Sequence, residues 1–185
     1  MFGTIISVVA AVLVIGWMAG IYNTLVKAKN GVKNAWSQIE VQLKRRHDLI
    51  PNLIETVKGY MQHERATLES VTNARQQAVN ISGSVADQAK IESMLSQTLK
   101  SLFAVSENYP DLKANQNFLA LQEELSSTEN KIGFARQFYN DSVMQLNNKI
   151  EMFPSNIIAG MFGFEAGEFF EIEVPQEREV PVVKF

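Results

Sequence analysis

Residues 22–60, YNTLVKAKNGVKNAWSQIEVQLKRRHDLIPNLIETVKGY, decide the fold. Apolar side chains recur there at three- and four-residue steps: Leu25, Ala28, Val32, Ala35 with Trp36, Ile39, Leu43, Ile50, Leu53 with Ile54, and Val57. That period puts them on one stripe of an amphipathic α-helix. Two residues interrupt it. Gly31 is a mild fault, whereas Pro51 removes a backbone donor and crowds the carbonyl of His47, at a cost of ~3 kcal/mol in a straight helix. With no turn-rich cluster around Pro51, a kink is favoured; a break with Asp48 as N-cap and Pro51 in the first turn of a new helix stays open.

Toward the N-terminus the same helix becomes wholly apolar. No charged side chain precedes Lys27, and at ~1.5 Å per residue the stretch from Phe2 to Tyr22 covers roughly 31 Å, the thickness of a bilayer's hydrocarbon core. Residues 1–26 therefore read as a transmembrane anchor in the lipid bilayer. A cleaved signal peptide fits less well, because the stretch has no basic n-region and no A-x-A site. Lys27, Lys29, Lys33, Lys44, Arg45 and Arg46 follow the span with Glu40 as the one acid among them, and nothing basic precedes it. By the positive-inside rule the N-terminus lies outside and the body in the cytoplasm. Gly16 and Gly20 form a small-xxx-small pair suited to close helix packing in the membrane.

Toward the C-terminus the stripe continues through Met61, Leu68 and Val71, so one helix is predicted over residues 5–79, ending at the NISGS cluster of residues 80–84. A second helix is predicted from Val85 to Asn108. A third is predicted from Leu112 to Met152, after the Tyr109-Pro110-Asp111 punctuation. Pro154 ends it, with a short fourth helix over 156–161. From Phe164 the chain alternates aromatic and branched residues (Phe169, Phe170, Ile172, Val174, Val180 to Val183) with acids and prolines, the pattern of an extended strap. The fold class is thus all-α: a single N-terminal transmembrane helix continuing into an antiparallel four-helix bundle (27–163), with an extended C-terminal tail (164–185).

Helix lengths sharpen this. Residues 27–79 would form a rod of ~80 Å, against ~36 Å for the second helix. A hairpin at Gly83 then lets the second helix cover only the distal half of the first. Val32, Trp36, Ile39 and Leu43 are predicted to lack cover in a monomer, unless the aromatic tail or a neighbouring chain supplies it.

Composition bounds the chemistry. The chain has 185 residues, 46% hydrophobic and 20% charged, which suits one globular domain plus an anchor. Absence of cysteine removes disulfides, thiolate nucleophiles and sulfur-ligated metals. A net charge of −3 gives no reason to bind nucleic acid. The two histidines, His47 and His63, lack the spacing of a metal motif, and no carboxylate–histidine pair supports a di-iron site. Neither a catalytic Ser/His/Asp context nor a phosphate loop is present. No cofactor, metal or enzymatic activity is expected. Lys44, Arg45, Arg46 and Asp48 form a charged knot before Pro51. Its bland reading is pairing with the third helix's acids, Glu123, Glu124 and Glu129; its sharper one is lipid or partner binding.

Three separated blocks, NAWSQIEVQLKRRHDLIPNLIETVKGY, FLALQEELSSTENKIGFARQFYNDSV and FPSNIIAGMFGF, resemble the LemA family of bacterial membrane proteins. The likeness includes the run around Arg45, Arg46, Asp48 and Pro51, and the residues Thr128, Glu129, Asn130, Tyr139 and Asn140. It implies a single membrane helix in the bacterial inner membrane, a helical bundle facing the cytoplasm, and no established enzyme activity. It also implies envelope and adhesion settings, the company of a membrane metalloprotease, and a relative in magnetosome membrane formation.

Two functions follow as expectations. One is a membrane-anchored scaffold that self-assembles as a homo-oligomer through Val32, Trp36, Ile39, Leu43, Arg45, Arg46, Asp48 and Pro51, with Gly16 and Gly20 packing in the membrane. The other is an adaptor binding a membrane protease or other membrane protein as a 1:1 module. Glu129, Asn130, Tyr139 and Asn140 are assigned to polar contacts within the bundle.

Overall fold

The computed structural model describes residues 1–171. Among them the chain is helical without strands: α1 (Phe2–Lys58), α2 (Arg65–Asn80), α3 (Val85–Ser106), α4 (Pro110–Lys113), α5 (Gln116–Glu151) and α6 (Ser155–Met161). Ile172, Val174 and Val180 to Val183 lie outside the described residues.

The predicted first helix is right in kind and too long. α1 runs unbroken through Pro51, so the proline does not end the helix. The carbonyl it orphans is not left empty, because Arg75 Nε donates to His47 O at 2.7 Å. The helix stops instead at Lys58. Gly59 weakens continuation, and Tyr60 and Met61 both turn back onto the carbonyl of Val57 at 3.0 and 2.9 Å. Met61 then enters the core, fully buried. The three-four periodicity survives this corner because Met61, Leu68 and Val71 keep the step across it, which is why the pattern predicts one helix where there are two.

The other boundaries follow from side chains that compete for the backbone. Ser84 caps α3 in a reciprocal box: its Oγ accepts from Asp87 N at 3.1 Å, and its own N–H donates to Asp87 Oδ2 at 3.2 Å. Pro110 opens α4 where its missing donor costs nothing. The predicted third helix begins four residues late, at Gln116, because Asn115 Oδ1 takes the N–H groups of Asn117 and Phe118 at 2.9 and 3.1 Å and so starts a new helix. Past the end of α6, Gly163 takes a φ of +65°, which suits glycine, and Phe164 N bonds back to Ala159 O at 2.9 Å.

The chain forms two compact units, and α1 and α5 contribute residues to both. One comprises residues 1–41 and 133–168. Its apolar contacts gather around Leu25, Ile158 and Ala159, flanked by Met18, Ile21, Ile150 and Phe164. The Tyr22 ring packs on Phe162 and Phe164 at 4.8 and 5.8 Å. Beyond α6 the described chain has no regular secondary structure, and two hydrogen bonds between Asn147 and Gly167, at 3.1 and 2.8 Å, clamp it to α5.

The second unit comprises residues 42–132 with the described residues from Phe169 onward. Its core joins Ile50, Leu53, Val57 and Met61 to Val71, Ala74 and Ala78 of α2, Leu95, Leu99 and Leu102 of α3, and Phe118 and Leu125 of α5.

Candidate functional site

At the centre of the second unit lies a buried charge. Arg46 is 1% exposed and sits one turn before Pro51 on the core side of α1. Its Nη1 donates to Glu129 Oε2 at 2.6 Å and to Ser96 Oγ at 2.7 Å. Its Nη2 meets the Glu92 carboxylate in a very short contact and reaches the Glu92 carbonyl at 3.3 Å. Ser96 Oγ lies 2.6 Å from Glu129 Oε1, closing the ring. His47 Nε2 stands 3.0 Å from Glu92 Oε1. One guanidinium thus ties α1 to α3 and α5.

This arrangement holds the three helices together. Both carboxylates are occupied by the guanidinium, and Glu92 has only 4% of its side chain exposed. Separating such a pair would strand an uncompensated charge in a medium that solvates it poorly. No group of three His, Asp or Glu side chains among the described residues converges to hold a metal ion.

The residues singled out in the sequence scatter over the two units. Ile39 and Leu43 are buried, and Val32 and Trp36 are half-buried. The predicted bare stripe is therefore covered by the chain itself. Trp36 packs edge-on against Tyr139 of α5 at 5.4 Å and donates from Nε1 to Glu40 at 2.9 Å. Setting the length of α1 against the second helix alone misleads, because residues 133–151 of α5 fold into the same unit as residues 1–41. Arg45 pairs with Glu124 at 2.7 Å, and Lys44 pairs with Asp48 at 2.6 Å. That Lys44 contact is the main reason the Asp48 carboxyl titrates below its usual range. Pro51 is exposed.

Tyr139 is buried and donates to Glu168 O at 2.9 Å; burial, with Glu168 adding to it, raises the pKa of its hydroxyl. Asn140 is half-buried and Asn130 exposed. Gly16 and Gly20 are exposed, with open space where a Cβ would stand. The knot's bland reading, pairing with acids of the third helix, describes Arg45 and Arg46. Glu92, Ser96 and Arg75 complete the cluster without standing out in the sequence. Glu92 had a signal, since it precedes Leu95, Leu99 and Leu102 by three, seven and ten residues and so lies on the apolar face of α3.

The first half of α1 presents the opposite chemistry. Phe2, Ile6 and Leu13 are 86%, 68% and 67% exposed. This segment is long and apolar enough to be a candidate membrane span.

Residues 35–185 match the model of the LemA family. Protein LemA of Metamycoplasma hominis is 28% identical over 158 residues, spanning 82% of this chain and 72% of the relative. Magnetosome protein MamQ 2 of Paramagnetospirillum magneticum is 23% identical over 192 residues, spanning 90% and 71%. Magnetosome protein MamQ of Magnetospirillum gryphiswaldense is 22% identical over 190 residues, spanning 89% and 70%.

Proposed function

The chain belongs to the LemA family, and from that premise we propose that it is a membrane-anchored, non-enzymatic scaffold that self-assembles on the cytoplasmic face of a bacterial inner membrane. The observation that carries this reading is the division of labour within α1. Its residues 2–17 are exposed and largely apolar, while the charged groups around Pro51 are consumed in holding the body together. Such a molecule has an anchor and a braced body, in which we read the helices of each unit as running antiparallel, and its clustered acids, Glu92 and Glu129, are tied up by Arg46.

The self-association surface in this proposal is not the stripe from Val32 to Leu43, whose side chains are already covered. It is the aromatic pair Phe134 and Phe138 on α5, four residues apart on one helix face and 73% and 48% exposed. Exposed neighbouring aromatics are the residue type that anchors protein interfaces. Cross-linking in native membranes tests it. The full-length chain should give a ladder of homo-oligomers, and Phe134→Lys with Phe138→Lys should abolish it while the thermal unfolding midpoint stays within a few degrees. A 1:1 product with a membrane metalloprotease, unaccompanied by a ladder, would replace the scaffold with an adaptor that uses the same pair. A ladder unchanged in the double variant would remove this surface.

A further inference from the structure

Two grooves adjoin on the first unit, sharing Thr24 and Lys149 as common walls. The first, about 310 Å³, is mostly apolar and runs along Trp17, Gly20 and Ile21. The second, about 290 Å³, is as much polar as apolar and is lined by Lys27, Ser142 and Gln145 as well. Gly20 is what opens the first groove, since nothing lies within 4 Å of the place a Cβ would take.

Their depths match the layers of a bilayer. If the hydrocarbon core ends near Tyr22, then Trp17, Gly20 and Ile21 lie at acyl-chain depth. Thr24 then stands roughly 3 Å beyond the hydrocarbon edge and Lys27 about 7.5 Å beyond it, at the level of the headgroups. α6 occupies the same boundary, because Ile158 and Ala159 pack on Leu25 while Phe153, Ile157 and Met161 stay 78%, 54% and 64% exposed. An apolar collar of this kind belongs in the interfacial layer.

Charge selects the occupant. Lys44, Lys58 and Lys113 each have an acidic partner. Lys27 and Lys149, like Lys29, Lys33, Lys90, Lys100 and Lys131, have none among the described residues, but these two alone line the second groove, and Lys149 is half-buried there. Two ammonium groups on one groove, with the hydroxyls of Thr24 and Ser142 beside them, need an anion, and the adjoining apolar groove needs a hydrocarbon chain. We propose that these grooves hold one anionic phospholipid, its phosphate between Lys27 and Lys149 and an acyl chain against Trp17, Gly20 and Ile21. The site rests on the reading of residues 2–22 as a membrane span.

Trp17 is a native reporter. Trp36, the other tryptophan, lies 14 residues beyond Tyr22, roughly 21 Å farther along the helix and out of reach of bromine atoms within acyl chains. The full-length chain is reconstituted in phosphatidylcholine vesicles containing a minor fraction of brominated lipid. Brominated phosphatidylglycerol should quench Trp17 more strongly than brominated phosphatidylcholine. Lys27→Gln and Lys149→Gln should each lower that preference about fivefold, Lys27→Arg with Lys149→Arg should keep it, and Lys100→Gln on α3 should leave it unchanged. Equal quenching by the two lipids, or a preference that survives loss of both lysines, overturns the site while leaving the span intact. No quenching by either lipid removes the span and the site with it. A preference abolished by soluble glycerol phosphate assigns the lysines to a small anion and overturns the lipid.

Discussion

Arg46 is the residue on which the second unit turns, because its guanidinium is nearly buried and is shared between two carboxylates from different helices. A buried ion pair of this kind contributes little over an apolar replacement, yet losing one partner costs several kcal/mol. Glu92→Ala should therefore destabilise the full-length protein in detergent by about 3–5 kcal/mol, and Arg46→Met with Glu92→Leu should recover most of that loss. Thermal unfolding of the single and double variants decides it; a double variant as unstable as Glu92→Ala would show that the pair is needed for itself. Tyr139 supplies a pH dependence with a definite sign. Its hydroxyl is held protonated by burial, so its folded pKa lies above the ordinary 10.0. The unfolded tyrosine releases its proton first as pH rises, and the contribution present below pH 10 is lost above it. Unfolding midpoints from pH 9 to 11 should fall more steeply for the native protein than for Tyr139→Phe.

At the scale of elements, much of the fold was legible, and the errors have physical causes. The apolar period found every long helical segment, since burial of one face is what most helices depend on. It could not see the corner at Gly59 or the fresh start at Asn115, because those are settled by local hydrogen bonding that leaves the apolar spacing in phase. The site was less legible. Arg45 and Arg46 stand out in sequence, but their partners lie 79 and 83 residues away on α5, and Glu92 looks like a surface acid until α3 is placed. Pro51 shows the same gap between local and tertiary effects. In isolation it costs α1 a hydrogen bond, yet Arg75 of α2 supplies the missing donor to His47 O. In a Pro51→Ala background the backbone N–H restored at that position can take the carbonyl itself. Arg75→Ala should then cost about 1 kcal/mol less than in the native sequence, the coupling energy of a double-mutant cycle. Strict additivity would mean that Arg75 acts through another contact, such as its attraction for Asp48.

For the molecule as a whole, the decisive relation is between an apolar segment that is a candidate membrane span and a run of cations that follows it. Residues 2–17 expose their side chains along one continuous helix, which in water would be an aggregation surface and in a bilayer is a solvated one. The six basic residues from Lys27 to Arg46 resist translocation, whereas the N-terminal side offers no comparable charge. The proposed cytoplasmic placement of the body rests on this asymmetry. The native chain has no cysteine, so a single introduced thiol reports topology without background. Ser82→Cys, in the exposed turn between α2 and α3, should resist a membrane-impermeant maleimide in intact cells and react fully in inverted vesicles. Labelling of Ser82→Cys from outside would reverse the orientation. It would also place Lys27 and Lys149 in the opposite leaflet, where the anionic lipid they are built to meet is scarcer.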